Sequence, residues 1–378
     1  MPENTSTPLA ALTTLRTGAP PRRLLEAHAR ADLIGVLRDV WEGGEDWFVL
    51  GGGSNLFVGD EPFDGTVVRV RSAGVQELPG SAPGRVRLRV EAGHDWDTLV
   101  AETVERGLSG IEAMSGIPGT VGAAPVQNVG AYGQEIAQTL VEVEVLDESS
   151  GEVERVPASE LGLGFRTSVL KHHYGSVAAR RAVILSVTLE LTEVGSGDVR
   201  VHGEQLRRAL GLAPDAEVSL GWVRDRVLAT RRSKGMLLDA DDPDTWSAGS
   251  FFQNAIVSEA FARTLPEACP RWPMEPVIEP VRIIPLDRFD GYVPPPASRS
   301  VEVKVSAAWL IEQSGIRKGF ALPRSRAAVS SKHALALTNR GGASAAEIAE
   351  LARFIQQRVQ QEFGLLLQPE PVLVGVEL

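Results

Sequence analysis

Two glycine-rich runs, Leu50-Gly51-Gly52-Gly53-Ser54-Asn55 and Gly116-Ile117-Pro118-Gly119-Thr120-Val121-Gly122, constrain this chain more than any other feature. Glycine takes positive φ without steric cost and lets other groups approach the main chain closely. Successive backbone N–H groups in such a turn form a concave nest that suits phosphate oxygens. A single loop of this kind is also explained by an ordinary turn. Here the first loop closes on Ser54-Asn55, and the second runs on into Gln127-Asn128-Val129-Gly130-Ala131-Tyr132-Gly133. The pair suggests a site that clamps a pyrophosphate from two sides. Two common architectures are excluded by spacing. A Rossmann fingerprint starting at Gly51 and Gly53 needs a third glycine where Leu56 stands. No Gly-x-x-x-x-Gly-Lys-Ser/Thr run occurs, so a P-loop hydrolase is excluded as well.

At 378 residues the chain is too long for one ordinary core and fits two or three domains. Cys269 is the only cysteine, so no intrachain disulfide can form. Met1 to Ala10 lacks the basic patch and apolar run of a signal peptide. The apolar runs fall short of the ~20 residues of a membrane span. A cytoplasmic protein is expected, with no membrane partner. A net charge of −11 argues against a general nucleic-acid binder. A small anionic ligand is still possible, because the local sign decides. Arg231, Arg232 and Lys234 form a dense basic cluster, which a solvated helix end would also explain.

Trp47 to Leu50 reads as a buried strand feeding the first glycine loop. Arg85 to Glu91 alternates, with Val86, Leu88 and Val90 on one face and three arginines on the other, as in a half-buried strand. Asp95 to Arg106 has apolar residues at helical spacing behind two N-terminal aspartates. Strand patterns continue at 141–146, 153–156 and 183–191. The polar stretch 192–198 suggests a boundary. Trp222 to Arg232 reads as a helix. Nine prolines between Pro266 and Pro296 suggest an irregular surface insertion. Ser344 and Glu347 form a capping-box pattern, opening a helix that buries Ile348, Leu351, Ile355 and Val359 and stops at Gly364. Pro371 to Val376 would be a final strand.

No metal-ligand cluster is evident, and the adjacent pair His172-His173 cannot easily face one ion. No Gly-x-Ser-x-Gly elbow is present, which argues against a hydrolase nucleophile. Gly249-Ser250-Phe251-Phe252-Gln253-Asn254 places a serine in an apolar setting, where a hydroxyl needs a partner. A structural turn would explain it too.

Six segments in one order carry a resemblance. They are Leu50 to Asn55, Gly116 to Gly133, Gly164-Phe165-Arg166-Thr167-Ser168, Arg231 to Lys234 with Gly249 to Asn254, Ala308-Trp309-Leu310-Ile311-Glu312-Gln313, and Gln368-Pro369-Glu370. From about Thr14 to Val376 the chain resembles the UDP-N-acetylenolpyruvoylglucosamine reductase (UDP-N-acetylmuramate dehydrogenase) family, flavoenzymes of bacterial cell-wall precursor synthesis. The resemblance implies an α+β fold: a two-subdomain FAD-binding unit of the vanillyl-alcohol-oxidase-like type, then a C-terminal α+β substrate domain. The expected division is 1–70, 71–215 and 216–378. It implies non-covalent FAD and NADPH as reductant, acting ping-pong on a sugar-nucleotide substrate. The oligomeric state is left open, and a monomer fits.

The same resemblance implies roles for individual residues. Gly51, Gly52, Gly53, Ser54, Asn55, Gly116, Ile117, Pro118, Gly119, Thr120, Gly122, Ala123, Gln127, Asn128, Gly130 and Tyr132 would hold FAD. Hydride added to the methylene carbon of an enolpyruvyl ether leaves negative charge delocalised into the neighbouring carboxylate. Arg166 would stabilise that charge with its fixed fork. Glu370 would hydrogen-bond the same carboxylate, which requires a shared proton. Ser250 would donate the proton that quenches the carbanion. Arg231, Lys234, Asn254 and Gln313 would hold the sugar nucleotide. Two positions depart from the family pattern. Phe165 stands where tyrosine is usual, and His202 replaces a substrate-contacting tyrosine of one subtype. A rival oxidase of the same fold would share the glycine loops but has no need of Lys234 or of Gly249 to Asn254. A flavin-binding sensor would have no need of Arg166, Ser250 and Glu370.

Overall fold

The computed structural model describes residues 5–171, 179–201, 203–274 and 302–378. His172, His173, His202 and most of the proline-rich stretch lie outside the described residues.

The first layer is a parallel sheet ordered Arg23–Ala27, Thr66–Val70, Trp47–Leu50. Its central strand buries Thr66, Val67, Val68 and Val70, as expected of a parallel strand covered on both faces. The helix Arg30–Gly43 makes the crossover and buries Leu33, Leu37 and Val40. It ends at Gly44 in the left-handed region.

The second layer is antiparallel, ordered Val153–Pro157, Leu140–Asp147, Ala182–Glu193, Arg85–Glu91, Val75–Leu78. Leu88 and Val90 are buried, as the alternation predicts. The helix Trp96–Glu105 is capped by Asp95, which accepts from the Thr98 N–H at 2.8 Å. Such a cap contributes about 1 kcal/mol. Both layers share one apolar core.

The helix Leu220–Ser233 opens on a Ser219 cap and packs on Trp96–Glu105. Arg224 joins the two by a bidentate pair with Asp97, at 2.6 and 2.8 Å. Beyond it lies an antiparallel sheet ordered Ala255–Ser258, Glu302–Val305, Arg271–Pro273, with a hairpin of Ala327–Val329 and Leu337–Asn339. Helices Ala307–Gln313 and Ala345–Phe363 complete this unit around a second core. The Ser344 capping box is formed, Ile348, Leu351, Ile355 and Val359 are buried, and Gly364 ends the helix at φ 69°.

The irregular insertion expected from Pro266 onward is corrected where it is described. Arg271–Pro273 is a paired strand, and Cys269 is buried beside it. The prolines are accommodated because Pro270 precedes the strand and Pro273 sits at its end, where a missing N–H is tolerated.

The last strand, Val372–Val374, pairs in parallel with Leu56–Val58 just after the first glycine loop. This pairing carries the C-terminal segment back across the molecule to the glycine loops.

Candidate active site

The two glycine loops pack backbone on backbone. A Cβ on Gly52 would lie 2.6 Å from the Gly119 Cα, closer than real side chains approach. Gly53 has φ +63°, and a Cβ there would stand 2.0 Å from the Leu12 carbonyl. Ser54 Oγ donates to the Pro118 carbonyl at 2.7 Å and locks one loop to the other. Among the described residues no protein acceptor takes the N–H groups of Gly52, Gly53, Ser54, Asn55, Gly119 or Thr120. The six residues that carry these donors line a cavity of about 710 Å³. That array fits a diphosphate, whose oxygens accept from such nests. Gly51, Ile117, Pro118, Gly122, Ala123, Gln127 and Gly130 line the same cavity.

Arg166, Ser250 and Glu370 line the same cavity. Arg166 lies at φ 55° in a tight turn closed by reciprocal main-chain bonds between Gly164 and Thr167. Ser168 Oγ pins this turn to the Val126 carbonyl at 2.6 Å. Positive φ in a residue other than glycine costs of order 1 kcal/mol and is held by such surroundings. Arg166 Nε is 3.0 Å from Glu370 Oε1, in an ion pair too poorly aligned to count as a hydrogen bond. Its Nη2 donates to the Gly130 carbonyl at 3.2 Å.

Glu370, between Pro369 and Pro371, is held extended. Its N–H donates to the Phe251 carbonyl at 2.8 Å, and the Val372 N–H donates to the Asn55 carbonyl at 2.9 Å. Burial pushes the Glu370 carboxyl above its ordinary range, against the opposing pull of Arg166 and Lys171. Ser250 is held on both sides: Gly249 at φ 76° turns the chain, and Phe251 is fully buried with its N–H on the Leu335 carbonyl at 2.7 Å.

Of the basic cluster only Arg231 leaves the solvated helix end, and Arg232 and Lys234 are exposed there. Arg231 is buried, lines the cavity, and donates through Nη2 to the Met236 carbonyl at 3.0 Å. Its Nε is buried without a protein partner among the described residues. Burial lowers the Arg231 pKa, with Tyr132 and Asp97 opposing. Asp97 also accepts from the Gly116 N–H at 2.6 Å, so one carboxylate ties the second glycine loop to the helix that carries Arg231.

Other residues expected at the site stand apart from the cavity lining. Lys234 Nζ lies 5.5 Å from the centre of the Tyr132 ring. Asn128 is buried and committed to Glu135, Gly164 and Ala137. Asn254 accepts from the Ala307 N–H at 3.0 Å, holding the start of the helix whose exposed last residue is Gln313. Lys171, which no sequence pattern singled out, is buried in the cavity wall. A lysine after Val169-Leu170 offers no local sign that its head group turns inward. Phe165 carries the Lys304 ammonium 4.5 Å from its ring centre, a contact a phenol would also allow.

Fold and site together define an FAD-dependent oxidoreductase. Residues 21–157 match the family model described as an FAD binding domain, and residues 241–374 match that of the UDP-N-acetylenolpyruvoylglucosamine reductase C-terminal domain. A UDP-N-acetylenolpyruvoylglucosamine reductase of Leifsonia xyli subsp. xyli is 51% identical, covering 98% of each chain. Its counterpart in Thermobifida fusca is 45% identical, again over 98% of each. The crystal structure of UDP-N-acetylenolpyruvylglucosamine reductase from Thermus caldophilus superposes with a TM-score of 0.61 at 25% identity, covering 99% of both chains. The chain belongs to the UDP-N-acetylenolpyruvoylglucosamine reductase family.

Proposed function

We propose that this protein uses NADPH to reduce UDP-N-acetylglucosamine enolpyruvate to UDP-N-acetylmuramate, a step of peptidoglycan precursor synthesis. The observation that supports the reading is that Arg166, Ser250 and Glu370 line the cavity that both glycine loops line, with Arg166 paired to Glu370 and the Glu370 N–H on the residue after Ser250. FAD, when bound, supplies the hydride relay between NADPH and the substrate. The N–H groups of Gly52 to Asn55 and of Gly119 and Thr120 would hold its diphosphate. Arg166 orients the substrate carboxylate and stabilises the charge that develops on it. A second carboxylate entering beside Glu370 shares Arg166 and raises the proton affinity of Glu370 further, so Glu370 can donate to it. Ser250 supplies the proton to the carbon next to the carboxylate. Arg231, Lys234, Asn254 and Gln313 serve the sugar nucleotide, and Tyr132 serves the cofactor.

Units 1–70 and 71–215 form the FAD-binding part and 216–378 the substrate part, joined by the Arg224–Asp97 pair. The protein works in the cytoplasm, where a chain with one cysteine needs no disulfide, and its oligomeric state is left open. Among the described residues no helix is long and apolar enough to cross a membrane. The purified protein should be yellow and consume NADPH beyond one equivalent per flavin only when the enolpyruvyl substrate is added. Oxygen consumption without that substrate would favour the oxidase reading.

Gly52→Val should separate the loops, because a side chain there meets the Gly119 main chain. The variant should be isolated folded but without flavin; retention of FAD at wild-type occupancy would remove the loops from the diphosphate site. Lys234→Ala should raise the Michaelis constant for the sugar nucleotide about 10–100-fold, the loss of a charge-assisted hydrogen bond of roughly 1.5–3 kcal/mol. An unchanged constant would return Lys234 to a solvated helix-end charge.

A further inference from the structure

Lys171 has no part in the roles assigned above, yet it lines the same cavity and is only 6% exposed. Its Nζ donates to Gln127 Oε1 at 3.1 Å and reaches the Glu370 carbonyl at 3.5 Å. Asn55 Nδ2 donates to the same Gln127 oxygen at 2.7 Å and lies 3.4 Å from the same carbonyl. The Glu370 N–H is meanwhile held by Phe251, next to Ser250. One ammonium therefore joins the segment that carries Arg166 to the region after the second glycine loop and to the Glu370 main chain. Burying it costs several kcal/mol that its contacts only partly recover, and an apolar side chain of similar size would be tolerated better for stability alone. The charged groups that face it are Glu370, from the C-terminal segment, and Arg166, from its own segment. The first glycine loop contributes only the neutral Asn55, and the second only Gln127.

We propose that Lys171 is a positioning residue for substrate reduction: its ammonium fixes the Glu370 main chain against the cofactor loops and adds to Arg166 a second positive charge where the enolate forms. The role rests on the functional reading above. Desolvation brings the Lys171 pKa down to about 8, with Glu370 opposing and Arg166 assisting. The charge is therefore present at neutral pH and is lost as pH rises through that value.

The test is anaerobic stopped-flow on the FAD-loaded enzyme from neutral to alkaline pH, comparing wild type, Lys171→Met and Lys171→Arg. In wild type, reoxidation of the flavin by the enolpyruvyl substrate should slow as pH rises through about 8. Lys171→Met should reoxidise about 10–100-fold more slowly at neutral pH, as for the loss of a charged hydrogen bond, and should lack that alkaline fall. Reduction by NADPH should stay near wild type. Lys171→Arg, charged throughout, should recover most of the rate and shift the fall to higher pH. A Lys171→Met variant that is slow but keeps the alkaline fall, or that matches wild type, overturns the proposal. If Lys171→Met does not retain FAD, an unchanged fall in Lys171→Arg overturns it. Wild type that the substrate cannot reoxidise would instead overturn the functional reading.

Discussion

Ser250→Ala should leave reduction of the bound flavin by NADPH close to wild type and slow its reoxidation by the enolpyruvyl substrate roughly 10²–10⁴-fold, the range for loss of a positioned general acid. The asymmetry follows from timing, because the proton is needed only after hydride has reached the substrate. The structure makes the substitution a clean one. The backbone at Ser250 is fixed by its neighbours, through the Phe251 N–H on Leu335 and the Phe251 carbonyl under Glu370. Loss of one hydroxyl therefore removes a proton source without releasing the segment. Equal slowing of both phases would mean that Ser250 serves packing beside Phe251 and Phe252. No slowing of either would send the proton role elsewhere.

Arg166→Met should cost about 10²–10³-fold in the same half-reaction, comparable to removing one donor from an anion-stabilising site. The variant also strips Glu370 of one of the two cations, Arg166 and Lys171, that oppose the upward push of burial on its carboxyl. The carboxyl is then pushed higher still, with Lys171 alone opposing. Uptake of a proton by Glu370 would keep the stability loss below the roughly 3–5 kcal/mol of an abandoned buried charge. Arg166→Lys should recover little, since an ammonium cannot reproduce a bidentate fork and Arg166 also donates to Gly130. The check is single-turnover kinetics together with thermal unfolding of each variant. A reoxidation rate within tenfold of wild type would show that the carboxylate is stabilised by another group.

Features built from local chemistry are legible in the sequence. Asp95 caps its helix, Ser344 and Glu347 close their box, and Gly53 occupies a conformation that favours glycine, because each depends on residues a few positions away. The glycine loops announced a diphosphate clamp, although Gly52 against Gly119 is a contact only the fold could reveal. Features built from distant partners were not legible. Asp97 looked like a helix-end charge but serves Arg224 and Gly116. Arg231 looked solvated because its neighbours in sequence are charged; the fold sets its Nε beside Gly116, where a Cβ would lie 3.4 Å from it. Lys171 gave no signal, since its partners Gln127 and Glu370 are distant in sequence and the pairing of Val372–Val374 with Leu56–Val58 is what holds the Glu370 segment in this region. Asn254 lay in a segment of the right pattern, yet its side chain is committed to the Ala307 N–H. A motif identifies neighbours along the chain, and the buried charges here are organised by neighbours across it.

The most direct measurement is a single turnover under nitrogen. The protein, its flavin reduced by one equivalent of NADPH, is mixed with one equivalent of UDP-N-acetylglucosamine enolpyruvate, and the visible flavin band and the product mass are followed together. The oxidised flavin band should return in step with a product heavier by two hydrogens. Flavin that stays reduced until oxygen is admitted, with the substrate recovered unchanged, would contradict the assignment.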